Sequence, residues 1–301
     1  MKKLCALSVL LCFAIGAVFA NHHAEELVRA AQTRNLHALE NAIRIAPNIN
    51  HQSPTTGRTA LIEAAAADWD AGVRMLMGRG AAPNITDHTG MSALMHAVGR
   101  TENVALVRFM IESGANPNQW DNTHRTVLMH AARNQSDAIF GFILNTTGVA
   151  ANINRIDNSR QNTLIIAASV GNYNAVAQLL APGLPTRTNV GQVDNMGRTA
   201  FVHAAFEGHL DIVRLFLSRP GIGTDVLRTD ISGVPVLLHL IQFRVSDSVI
   251  ETIVTRHPET LRQADGRGRN AMDYLNQFQR NNTNLRSLFN FHGAVASGNG
   301  W

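Results

Sequence analysis

The sequence predicts an all-α solenoid of stacked helix pairs, and three observations carry that prediction. An aspartate recurs at Asp87, Asp121, Asp157, Asp194, Asp230 and Asp265, with Pro54 one period earlier; successive gaps are 33, 34, 36, 37, 36 and 35 residues. Each aspartate opens a turn that runs into a short helical pattern and then a second one, as in Asp194–Gly197, Phe201–Phe206 and Leu210–Leu217. Neither helix has enough apolar face to stand alone, because helices this short are marginal in water and need neighbours. A self-similar period in this range supplies them by stacking one unit on the next.

The repeated motifs are Thr59-Ala-Leu61, Ser92-Ala-Leu94, Thr126-Val-Leu128 and Thr199-Ala-Phe201, followed by the small pairs Ala64-Ala65, Ala131-Ala132, Ala167-Ala168 and Ala204-Ala205. The unit ending Gly-Ala-x-x-Asn stands at Gly114-Ala-Asn-Pro-Asn118. On these motifs the chain after residue 24 resembles the ankyrin repeat family. The resemblance implies an ankyrin repeat solenoid whose inner helical face and turn tips grip other proteins.

Taken in order, residues 1–20 read as a signal peptide. Lys2 and Lys3 form a positive start, Leu4–Phe19 is an apolar run, and Val18-Phe-Ala20 suits cleavage before Asn21. The run is too short to favour a membrane span. An ankyrin repeat domain is expected over 21–292. Its N-terminal cap is 24–50, its repeats lie at about 51–84, 85–118, 119–154, 155–192, 193–227 and 228–261, and its C-terminal cap is 262–292. Extra residues near Thr146-Thr-Gly148, at Pro182–Gln192 and at Arg219–Gly223 suit surface loops, where chain closure costs little. The sixth repeat departs furthest, with Pro235 for the threonine and Leu240-Ile241 for the small pair, so its neighbours should be pushed apart or re-angled. Residues 293–301 are expected to form a flexible tail.

Composition narrows the function classes. Both cysteines, Cys5 and Cys12, fall inside the signal, which leaves the mature chain without disulfides, a thiolate nucleophile or a cysteine metal site. Both lysines fall there too, so 24 arginines stand against 22 acids, scattered and without the basic stripe that nucleic acid requires. Drift toward arginine explains the missing lysine; a secreted protein that avoids ubiquitin acceptors in a host cell is the sharper reading. The turn aspartates act as acceptors for nearby amides, Thr59, Thr126 and Thr199 start helices, and Gly57, Gly90, Gly197 and Gly233 supply unusual backbone angles. No catalytic constellation remains, so the protein is read as a non-enzyme without cofactor.

One register position departs from the family motif. Histidine follows the leucine one residue late, at His96, His130, His203 and His239, with Glu63, Ile166 and Tyr274 in the same register. A one-residue shift turns a side chain by about 100° on a helix and groups it with residues three and four further on. Two readings stand: each histidine bonds to the neighbouring repeat, or the row is a binding wall whose charge changes between about pH 5 and 8. A metal shared along the row is disfavoured, because packed helices lie about 8–10 Å apart and ligands sit about 2 Å from a metal. The candidate partner-binding residues are His96, Arg100, Trp120, Arg125, His130, Arg133, Asn134, Arg198, His203, Phe206, Glu207 and His239; further turn-tip residues are His88, Asn122, Asn158 and Met196. Cleavage after Ala20 would also create an Asn21-His22-His23 start, in which His23 completes a square-planar nitrogen site for copper(II) or nickel(II).

The resulting expectation is a monomeric, periplasmic or secreted scaffold that binds another protein, without nucleic acid and without membrane insertion once the signal is removed. A secreted effector acting on a host protein and a periplasmic metal-binding or stress-protective protein are the alternatives.

Overall fold

The computed structural model describes residues 22–294, apart from 47, 147, 150, 151, 185 and 220–225. The signal peptide, residue 21, the Arg219–Gly223 connection beyond its first residue and the tail beyond 294 therefore lie outside the described residues. The chain divides into two compact units, Met1–Val149 and Ala150–Trp301.

The first unit holds α1 (22–32), α2 (Leu36–Ile45), α3 (Ala60–Ala66), α4 (Asp70–Gly78), α5 (Ala93–Val98), α6 (Val104–Glu112), α7 (Val127–Arg133) and α8 (Asp137–Leu144). The second holds α9 (Thr163–Ser169), α10 (Tyr173–Leu179), α11 (Ala200–Phe206), α12 (Leu210–Leu217), α13 (Val236–Gln242), α14 (Asp247–Arg256), α15 (Ala271–Phe278) and α16 (Thr283–Phe291), with a 3-10 turn at Pro258–Arg262. Among the described residues β-structure is confined to single bridges at the turn tips, Thr86–Ser92, Trp120–Thr126 and Thr229–Pro235.

Each pair works the same way. The leading helix is short and buried on nearly every side; in α5 every residue from Ala93 to Val98 is buried. A hydroxyl or amide caps it: Thr59 accepts from the Ile62 amide at 3.2 Å, Thr126 from Met129 at 3.2 Å, and Asn162 from Ile165 at 2.9 Å. These caps satisfy amides that a helix start otherwise orphans. The second helix is amphipathic and buries one stripe, such as Leu106, Val107 and Met110 of α6. In α11 and α12 the buried Phe201 and Phe216 meet edge to face, with centroids 6.2 Å apart.

Repeats are held in register by polar steps that recur at the repeat period. In the first unit Asn84 donates to the Gly114 carbonyl at 3.0 Å and accepts from the Asn116 amide at 2.8 Å. In the second, Asn154 does the same with Arg187 and Asn189. The turn tips also stack: the His88 amide donates to the Thr56 carbonyl and the Asn122 amide to the Thr89 carbonyl, both at 3.0 Å. Gly90 (φ +81°) is required there twice over, since a Cβ would stand 2.5 Å from the Asn122 amide nitrogen.

Within the second unit, α11 lies closely along α9 and α13 along α15, whereas α11 and α13 meet at few positions. Leu240 and Ile241 are fully buried, so the bulk that replaces the small pair is packed inside rather than shed to the surface. The expected disturbance at the sixth repeat takes the form of an opening between α11 and α13.

Candidate partner-binding face

The turn aspartate and the late histidine are one device. In the second repeat Asp87 Oδ1 accepts from the Thr89 and Met91 amides at 2.9 and 3.1 Å, while Oδ2 faces His96 Nε2 at 2.9 Å. The same 2.9 Å contact joins His130 to Asp121, His203 to Asp194 and His239 to Asp230. The C-terminal cap substitutes Tyr274, whose hydroxyl donates to Asp265 Oδ2 at 3.1 Å. The first repeat has no turn aspartate, and there Glu63 accepts from Gln32 at 3.0 Å. Each histidine thus bonds to its own repeat's turn, not to the neighbouring repeat. The sequence reading missed this because it assigned the aspartates only to backbone amides; their spacing of nine residues from the histidines was the available signal.

Electrostatics follow the burial. Burial alone would raise the Asp87 carboxyl, but hydrogen bonds from Thr89, His96 and the turn amides outweigh it and hold the group at about 2. Asp121 is likewise held at about 2 against its burial, with His130 the leading cause. Burial pushes the His96 and His203 imidazoles below their ordinary range despite the facing carboxylate, with guanidiniums (Arg58 and Arg100 at His96, Arg198 at His203) adding to the effect. His96 and His203 are only 5% and 6% exposed, so little of either ring meets solvent.

The remaining candidates are distributed as follows. Arg100 and Arg133 are exposed, Arg125 and His130 are half-buried, and Trp120 is exposed beside its bridge to Thr126. Asn134 donates to the Thr101 carbonyl at 2.8 Å and so ties two repeats of the first unit together. In the second unit Glu207 is exposed just past α11, and Arg198 forks onto Asp194 Oδ2 at 3.1 and 3.2 Å. His23 lies in α1 with Nδ1 3.3 Å from Glu26, and the described residues contain no cluster of metal-ligating groups; the free amine its copper site would need lies at residue 21, outside them.

Three candidates come together. Arg198, Phe206 and His239 line a cleft of about 290 Å³ between α11 and α13, with Met196, Val202 and Phe243. Phe206 stands against Phe243 at 5.5 Å and against His239 at 6.0 Å between ring centroids; His239 and Phe243 are stacked at 6.0 Å, 22° from parallel. Phe243 and Met196 are 60% and 56% exposed, and Ile231, which abuts Gly197 at the cleft edge, is more exposed still. Phe243 and Ile231 were not chosen as site residues from sequence. Phe243 was reachable, since it lies four residues after His239 on the same helical face.

Comparison with known proteins agrees with this architecture. The chain matches the family described as "Ankyrin repeats (3 copies)" over residues 27–121, 66–157 and 128–230, more than half its length. It therefore belongs to the ankyrin repeat family, whose members are in general protein-interaction modules. Among solved structures it is similar to the human ASB11 ankyrin repeat domain at 21% identity, with a TM-score of 0.63, covering 76% of this chain and 96% of that one. That likeness is one of fold. No curated protein matches the chain.

Proposed function

We propose that this protein is a non-catalytic docking module of the periplasm or the cell exterior, and that it holds a protein partner on the face bearing Met196, Arg198, Phe206, Glu207, Ile231, His239 and Phe243. The observation that carries the reading is the run of exposed apolar side chains around the α11–α13 cleft, at Met196, Ile231 and Phe243. Contiguous apolar surface rimmed by charge marks interaction sites, and aromatic and arginine side chains dominate binding energy at such sites. The positions matching Phe206 in the other repeats hold Gly99, Arg133, Ser169 and Gln242, so the ring at this register is particular to α11. In the first unit Arg100, Trp120 and Arg133 are exposed and form a separate candidate surface. Export is supported by Lys2-Lys3 and the apolar run Leu4–Phe19.

Affinity capture from a cell-envelope extract tests the reading, with the chain starting at Asn21 as bait beside a Phe243→Glu variant. A protein retained by the first and lost by the second, at unchanged thermal stability, is the expected outcome. Equal retention by both would remove the face from this role. Export is checked by fractionation with mass determination of the N-terminus; a cytosolic protein that keeps residues 1–20 would refute it.

A further inference from the structure

The Pro182–Gln192 insertion builds a second pocket, at the end of α10 and beside the residue that follows α12. We propose that it binds a small amphipathic anion, an apolar body carrying one carboxylate or phosphate head. The pocket shares no lining residue with the α11–α13 cleft and stands apart from the docking reading. Its volume of about 560 Å³ falls inside the roughly 300–1,000 Å³ typical of small-molecule sites. Leu180, Leu184 and Val190 line it half-buried and Pro182 exposed, so apolar groups are left for a ligand rather than consumed by the core. Two asparagines pin the insertion in place. Asn154 donates to the Arg187 carbonyl at 2.8 Å and accepts from the Asn189 amide at 2.7 Å, and Asn162 donates to the Asn189 carbonyl at 3.0 Å. A wall held in this way spares binding the cost of ordering it.

Charge selects the head. A bare helix end presents orphan carbonyls and favours a cation, but here two of those carbonyls are already taken. The Thr188 hydroxyl donates to the Leu179 carbonyl at 2.5 Å, and Arg219 Nη1 donates to the Leu180 carbonyl at 2.9 Å. The second bond fixes the Arg219 guanidinium against the pocket floor, since Leu180 and Arg219 both line it. A guanidinium has five N–H donors and no acceptor, and that of Arg219 makes no ion pair with the described residues. Arg187 is exposed, and its side chain makes no hydrogen bond or ion pair with the described residues. None of the lining residues is acidic. The pocket thus joins two unneutralised guanidiniums to an apolar body. Arginine's planar fork matches carboxylate and phosphate oxygens. A cation would be repelled, and a neutral apolar molecule would gain nothing from either charge.

Titration of the ¹⁵N-labelled protein with octanoate, octyl phosphate, octan-1-ol and octylammonium tests this by NMR. The anions should shift the amides of Leu180, Leu184, Val190 and Arg219 and leave those of Phe206 and Phe243 in place; the tighter anion names the head. Octan-1-ol should bind about tenfold more weakly, the equivalent of one charge-assisted hydrogen bond, and octylammonium should not bind there at all. Arg187→Glu changes a side chain that holds nothing among the described residues, so it should weaken both anions by about tenfold at unchanged thermal stability. Arg219→Gln, which keeps an N–H donor and loses the charge, should weaken them by at least as much. Equal affinity for anions and alcohol would overturn the assignment, as would anion binding indifferent to Arg187→Glu. Shifts confined to Phe206 and Phe243, or no shifts with any probe, would also overturn it. The envelope capture with Phe243→Glu judges the docking face separately, so the two readings can fail independently.

Discussion

The stack α3–α5 in the first unit and the α11–α13 step in the second are built from the same motif and end differently. α3 and α5 lie closely side by side and carry small residues, Ala60, Ala64, Ala65, Ala93 and Ala97, all buried. At α13 the small pair becomes Leu240-Ile241 and the capping hydroxyl becomes Pro235, which has no side-chain cap bond. Helix separation depends on the side chains at the contact, so small residues close one step and large ones open the other. The opening is where aromatic rings reach solvent. A repeat protein can therefore acquire a pocket by degrading one repeat, while the turn device beneath it, Asp230 with His239, stays intact.

The largest test of this comparison removes the turn device on each side. Asp87→Ala strands the Thr89 and Met91 amides and the His96 ring in a closed, buried setting, and should cost about 3–5 kcal/mol in urea unfolding. Asp230→Ala makes the same deletion where the carboxylate is 19% exposed rather than 2%, so water can replace it and the loss should be about 1–2 kcal/mol. Equal losses would mean that the openness of the sixth repeat does not extend to its turn.

How much of this was legible in the sequence differs by level. The helix pairs, caps and turn glycines could be read from Thr59, Thr126, Thr199, Gly90 and Gly197, because each acts within a few residues of itself. The histidine register was legible as a shared face; its partner left only the constant nine-residue spacing from the aspartate as a signal, since a turn folding back onto a helix is a three-dimensional fact. The cleft was legible only as a disturbance: Leu240-Ile241 announce that α13 cannot sit like α5, yet not on which side the space opens. Arg198 and Phe206 were found because they belong to the motif register, and Ile231 was missed because an apolar residue at a turn tip has no period to betray it.

Acid should separate the closed repeats from the rest. The folded-state pKa of His96 and His203 is depressed, so the unfolded chain binds the extra proton more readily. Their contribution is present above the unfolded value of about 6.5 and falls as pH drops below it. Asp87 and Asp121, held at about 2, add a second loss that begins below the unfolded carboxylate range and completes as pH falls through about 2. Urea midpoints should decline as pH falls below about 6.5 and fall again below about pH 4. His96→Gln should flatten the first decline; a decline of the same size in that variant would remove His96 as a source.

The smallest effect lies at a turn where the repeat lacks its glycine. Asp157 closes its turn as Asp194 does: its Oδ1 accepts from the Ser159 and Gln161 amides at 2.9 Å, against 2.8 and 2.9 Å for Met196 and Arg198 at Asp194. The residue three after the aspartate is Gly197 (φ +78°) in one and Arg160 (φ +60°) in the other. A side chain in this left-handed region is strained against its own carbonyl, and the Arg160 side chain makes no hydrogen bond or ion pair with the described residues that would offset the strain. Arg160→Gly should therefore stabilise the protein by about 0.5–1 kcal/mol, after the entropy that glycine adds to the unfolded chain is subtracted. Gly197→Ala should act in the opposite sense, by about 1–2 kcal/mol, because the new Cβ also stands 3.0 Å from the Ile231 amide nitrogen at the cleft edge. Thermal melts of the two variants should move in opposite directions; a loss of stability in Arg160→Gly would show that the guanidinium contributes to the turn more than its strain costs.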